Sequence, residues 1–117
     1  MKPPYYAVSF SSNLKTDDPQ LVAEYDAMGD RMLELATIQK GFLGVESVRD
    51  TATTTGKDGH TPVRFGITIS YWETLEDIRA WKRESEHLEA QRKGKAQWYE
   101  NYTTRISKVE REYSFQE

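Results

Sequence analysis

The 117-residue sequence contains no cysteine. That removes disulfides, thiol nucleophiles, thiolate zinc sites and iron–sulfur clusters together, and it suits a chain expected in the cytoplasm. Histidine is nearly as scarce. His60 and His87 are the only two, and they make no His-x-x-x-His pair, so no metal site is expected. No apolar run approaches the roughly 20 residues that cross a bilayer, so no membrane is expected as a partner. The start, "MKPPYYAVSF", lacks an export-like apolar core. A formal net charge of −3 and a pI near 5.5 deny the chain the basic stripe that nucleic acid requires. There is no GxGxxG, no P-loop and no GxSxG elbow, so no dinucleotide, nucleoside triphosphate or serine-hydrolase site is signalled.

What is present is 37% hydrophobic and 30% charged, the balance of one globular domain over residues 1–117. A domain this short buries about two-thirds of its unfolded surface. Pairing with a second copy would therefore add stability.

Tyr5–Ser12, "YYAVSFSS", reads as a strand that begins after two prolines unable to donate to a ladder. Asp18 and Pro19 then signal a helix start, and Gly41 after Lys40 signals its stop. Leu21, Tyr25, Met28, Met32 and Leu35 form its apolar stripe. Phe42–Asp50 reads as a second strand. Alternation places Phe42, Gly44, Glu46 and Val48 on one face, and Leu43, Val45, Ser47 and Arg49 on the other. A polar, turn-rich stretch follows as a hairpin loop, and Val63–Trp72 alternates without interruption as a third strand. Thr74, with Asp77 three residues on, opens a second helix. Its character persists to Tyr102 with a break near Ser85. The last strand is expected in "TTRISKVEREYSF", with a bulge because Ile106 and Val109 differ in parity.

The order β-α-β-β-α-β predicts an α+β, ferredoxin-like sandwich: a four-stranded antiparallel sheet with both helices on one face. The third strand carries large apolar groups on both faces, which points to a homodimer that covers the second one.

On a continuous second helix, Trp81, Leu88, Lys95 and Tyr99 would share one side at about 100° per residue. Gln91 would lie at its edge and His87 further round. Trp81 reads as core packing or pocket wall. His87 reads as a boundary residue or as an acid–base group. Gln91 and Lys95 on a half-apolar face want polar partners, though a lysine also reaches water along its stem. Trp98, Tyr99 and Tyr102 either line a pocket for a planar molecule or seal the core.

The run "ITISYWETLEDIRAWKRESEHLEAQRKGKAQWYENYTTRISKVEREY" resembles the C-terminal half of antibiotic biosynthesis monooxygenase domain proteins, and "GFLGVESVRD" resembles their second strand. With the first strand, the resemblance spans nearly the whole chain. It implies a dimeric α/β barrel in which two ferredoxin-like sheets close face to face. It also implies a cofactor-independent monooxygenase acting on a small aromatic or quinol substrate, with no cofactor because the electron-rich substrate itself activates oxygen. Trp81 matches the tryptophan that borders the pocket in such proteins, with Trp72 and Ser9 as further substrate-binding candidates. His87, Gln91 and Tyr99 are the candidates to orient the substrate or take its phenolic proton. The family's first-strand asparagine has no match within Tyr5–Ser12, because Asn13 lies past the expected strand end. Alignment on Trp81 puts Gln91, not His87, where haem-degrading relatives carry their ligand histidine. Two alternatives remain: a non-catalytic module holding a hydrophobic small molecule or haem, and a structural dimer filled by its own aromatics.

Overall fold

The computed structural model describes residues 1–84 and 86–117. Strand β1 (Tyr5–Lys15) leads to helix α1 (Pro19–Thr37) and then to β2 (Phe42–Arg49). A two-residue strand β3 (Thr54–Thr55) precedes β4 (Pro62–Trp72). Helices α2 (Leu75–Arg83) and α3 (Ser85–Lys93) follow, and a π-helical turn, Gly94–Trp98, delivers the chain to β5 (Tyr99–Val109). The sheet order is β2-β4-β1-β5, with β3 paired to β4, and every pairing is antiparallel. This is the ferredoxin-like α+β arrangement.

The helix signals act as expected, because each is local. Asp18 Oδ1 accepts from the Gln20 and Leu21 amides, with Pro19 behind it at the first helical position. The stripe from Leu21 to Leu35 is the inward side of α1. At α2, Thr74 Oγ1 accepts from the Asp77 amide at 3.0 Å and donates to the Asp77 carboxylate at 2.8 Å. Asp77 is buried, and a Cβ on Gly41 would strike its carboxylate. Gly41 also has φ +82°, so it turns the chain into β2. Helix α1 itself stops earlier, at Thr37.

Three strand expectations change, and the break expected near Ser85 reshapes the second helix. Strand β1 extends three residues beyond Ser12, because Ser12 and Leu14 both stay buried. Asn13 therefore lies inside β1, and its Nδ2 donates to Asn101 Oδ1 at 3.1 Å. In β2, a register shift between Phe42 and Gly44 turns Phe42 to the face of Val45, Ser47 and Arg49. Its ring meets Trp72 edge-on at 5.5 Å. The second helix breaks at Glu84, whose backbone is extended and whose carboxylate caps α3 through the Glu86 and His87 amides. The supposed side shared by Trp81, Leu88, Lys95 and Tyr99 is dissolved by that break, and Leu88 is 49% exposed. Finally, β5 starts at Tyr99. Its irregularity lies opposite Asn13 and Leu14, while Ile106 and Val109 simply pair with Val8 and Tyr5 on opposite faces.

Strand alternation then defines two faces. Trp72, Thr68, Gly66 and Arg64 of β4 share one with Phe10, Ser12 and Leu14 of β1, and α1 and α2 pack there, through Tyr25 and Trp81. The open face carries Phe65, Ile67 and Ile69 beside Ser9, Ser11 and Asn13. Phe65 is 46% exposed and Val48 of β2 is 70% exposed.

Candidate functional site

Trp72, Trp81 and His87 come together at one end of the helix face. Trp72 is fully buried and its Nε1 donates to Ser70 Oγ at 2.9 Å. The Trp81 ring stacks on Trp72, with centroids 6.1 Å apart and planes at 27°. The His87 imidazole also stacks on Trp81, at 4.4 Å and 19°. The break at Glu84 makes this possible by folding α3 back so that residue 87 meets residue 81. His87 Nδ1 lies 2.8 Å from the Trp81 carbonyl oxygen. A carbonyl only accepts, so Nδ1 carries the proton and Nε2 keeps a lone pair. Burial pushes the His87 pKa below its usual value, and the Trp81 carbonyl opposes part of that shift. Gln91, half-buried, sits one turn along α3 on the same side as His87. Among the described residues no group of His, Cys, Asp or Glu is placed to hold a metal.

Tyr99 belongs to a different cluster. Its ring meets Phe10 at 5.4 Å, Tyr25 at 5.7 Å and Tyr102 at 5.8 Å, and Tyr25 also meets Trp98 at 5.7 Å. Burial drives the Tyr99 phenol far above the ordinary tyrosine range, the neighbouring Tyr25 raises it further, and Arg49 pulls the other way. This phenol stays protonated. Trp72 lies six residue steps along β4 from Gly66 at this end, about 20 Å along a strand. Ser9 joins neither group: it pairs with Ile69 and Arg105 on the open face.

The centre of the second cluster is a residue that the sequence reading placed on a strand face and gave no role. Arg49 of β2 reaches across β4 to β1. Its Nη2 donates to Ser12 Oγ at 2.8 Å and to the Tyr25 hydroxyl at 3.0 Å. Its Nη1 donates to the carbonyls of Arg64 at 2.9 Å and Ser12 at 3.3 Å. The guanidinium passes over Gly66, where a Cβ would lie 2.6 Å from Arg49 Cζ. Beside it is a cavity of about 230 Å³ between α1 and the sheet, walled by Leu14, Val22, Tyr25, Ser47, Arg49 and Arg64. The Arg64 Nε and the Trp98 Nε1 are buried without a hydrogen-bond partner. One signal could have marked this place: an isolated glycine in the strongest strand pattern indicates a close approach by another group.

This geometry can be set beside known proteins. Residues 7–109 match the model of a domain of unknown function, DUF3291. The uncharacterised protein YqjZ of Bacillus subtilis is 44% identical over 116 residues, which is 99% of this chain and 89% of YqjZ. Among solved structures, a candidate antibiotic biosynthesis monooxygenase from Nitrosomonas europaea superposes with a TM-score of 0.66 at 17% identity, covering 93% of both chains. SnoaB, a cofactor-independent oxygenase from Streptomyces nogalater, gives 0.64 at 15% identity, covering 98% of this chain and 100% of its own. A dimeric ferredoxin-like protein of unknown function from Thermobifida fusca gives 0.65 at 11% identity, covering 93% and 95%. Similarity to the monooxygenase proteins is thus a similarity of fold. At the level of sequence, the chain belongs to the DUF3291 family.

Proposed function

We propose that this protein is a homodimer whose subunits each hold a small aromatic or quinol molecule between α1 and the sheet and oxidise it as a cofactor-independent monooxygenase. The observation that carries this reading is the cavity of about 230 Å³ beside Tyr25 and Arg49. Its size suits a one-ring molecule. A cavity of about 150 Å³ already admits benzene, whereas drug-sized ligands occupy roughly 300–1,000 Å³. One substituted ring fits.

The chemistry asks little of the protein. A hydroquinone and O₂ contain the atoms and electrons of a hydroxyquinone and water, so the substrate supplies every electron. The barrier is the first electron transfer, which a deprotonated ring makes easier. Arg49 is permanently charged, is fixed by four hydrogen bonds, and stabilises an anionic ring oxygen placed against it. Tyr99, with Phe10 and Tyr102, forms the packed wall behind Tyr25. Neither His87, which stacks on Trp81, nor Gln91 is among the residues that line this cavity. The open sheet face, with Phe65 and Val48 exposed, supports pairing of two copies, and the Thermobifida neighbour is itself dimeric.

A second reading, a binding module without turnover, is favoured by the crowding of five rings (Phe10, Tyr25, Trp98, Tyr99, Tyr102) behind the cavity. One experiment separates the two. Oxygen consumption is followed with a series of one-ring quinols, with Arg49→Gln in parallel. The oxygenase reading expects uptake above the buffer rate that the variant loses. Saturable binding without uptake would leave the module, and no binding by any quinol would retire both.

A further inference from the structure

The Nη hydrogens of Arg49 are spent within the protein. Nη1 donates to the carbonyls of Arg64 and Ser12, and Nη2 donates to Ser12 Oγ and to the Tyr25 hydroxyl. A guanidinium only donates, so the Tyr25 oxygen is the acceptor in the last of these bonds, and its own hydrogen points elsewhere. On the assumption that the cavity beside α1 is the binding site just proposed, we propose that Tyr25 makes the direct contact with the ligand, donating its O–H to a ring oxygen. The ligand class follows from that donor: a single ring presenting a deprotonated or carbonyl oxygen, as a phenolate or a quinone does.

Tyr25 is half-buried on α1 and lines the cavity. Its ring is held in place: it meets Trp98 edge-on at 5.7 Å, and Arg49 Cζ lies 5.5 Å from its centre, so a ligand need not order it. Tyr99 is the phenol packed against it, with ring centres 5.7 Å apart and planes at 86°. Burial first, and then Tyr25, hold the Tyr99 proton in place. That is the sense expected when Tyr99 donates toward the Tyr25 oxygen rather than accepting from it. Asp26 and Asp50 also line the cavity, and both are exposed; Asp50 Oδ1 accepts from the Ala52 amide. Among the described residues, no hydrogen bond to either carboxylate takes the Tyr25 hydrogen. An O–H whose oxygen already accepts from a guanidinium is polarised toward its next partner. The hydrogen bond to the ligand thus comes from Tyr25 and the positive charge behind it from Arg49, a combination that favours a ring oxygen carrying negative charge.

Calorimetric titration of the full chain tests this with 4-nitrophenolate, at a pH where it is ionised, and with 4-nitrotoluene, which carries a methyl group in place of the oxygen. The phenolate should bind about tenfold more tightly, as a hydrogen bond to a charged acceptor requires. Its absorption band should also move to shorter wavelength on binding, because donation to the ring oxygen stabilises the ground state; this readout needs no substitution. Tyr25→Phe, checked for folding by circular dichroism, should erase the affinity gap and the band shift while binding 4-nitrotoluene as the unaltered chain does. Equal affinity for the two compounds, an unmoved band, or a gap that survives in Tyr25→Phe overturns the inference and leaves the cavity reading intact. Failure of both compounds to bind the unaltered chain overturns the cavity reading itself, and this inference with it.

Discussion

Gly66 is the position where fold and site can be tested together. Its Cα partners are Ser12 on one side and Arg49 on the other, and the Arg49 side chain crosses above it to reach Ser12. Gly66→Ala introduces a methyl group 2.6 Å from Arg49 Cζ and 2.8 Å from its Nε, so the guanidinium must move. The backbone itself does not resist alanine. Its φ lies outside the left-handed region, and alanine is favoured over glycine within a strand by about 0.5–1 kcal/mol. The loss comes from Arg49. Ser12 is 1% exposed, and its hydroxyl and carbonyl would lose the donors they bond, at about 1–3 kcal/mol for each group left unpaired. The net expectation is a destabilisation of about 2–4 kcal/mol. In an Arg49→Ala background the obstacle is gone, and the same substitution should be neutral or stabilising by about 0.5 kcal/mol. The two sites should therefore be coupled by about 2 kcal/mol or more. Urea denaturation followed by intrinsic fluorescence, at one fixed protein concentration, measures all four corners of the cycle. An equal cost for Gly66→Ala in both backgrounds would refute the claim that Arg49 passes over this glycine.

Two further outcomes follow from other parts of the molecule. Burial lowers the His87 pKa below its usual 6.5, so on acidification the unfolded chain takes up this proton before the folded chain does. Its contribution to stability is full above about pH 6.5 and is lost as the pH falls through the folded value. Replacing His87 by Gln should flatten the dependence of the urea midpoint on pH below about 6.5, and an unchanged slope would contradict the buried, neutral imidazole. On the open face, Phe65→Lys should raise the dimer dissociation constant roughly a thousandfold, since two rings each lose about 2 kcal/mol of burial. Light scattering on a dilution series reads this directly, and a wild-type chain that is monomeric throughout would remove the homodimer.

The features legible in the sequence are those decided within a few residues. Asp18 with Pro19, and Thr74 with Asp77, cap helices through groups two or three positions away, and the α1 stripe needs only the helical period. The features that were not legible depend on parity and register. A single irregularity near Leu43 reverses the face of Phe42, and another opposite Asn13 and Leu14 fixes where β5 begins. The break near Ser85 was legible, but not that it would fold His87 rather than Leu88 onto Trp81. The candidate site compounds these dependences. Arg49 meets Tyr25 and Ser12 across 24 and 37 positions of sequence, so no window along the chain contains all three. Read alone, Gly66 is a weak point in the strongest strand, because it offers the sheet no side chain to pack. Once the register sets Ser12 and Arg49 on either side, the missing side chain becomes the clearance that lets a charged group cross from β2 to β1. The polar wall of the cavity is therefore a property of three strands in register, with one glycine between them.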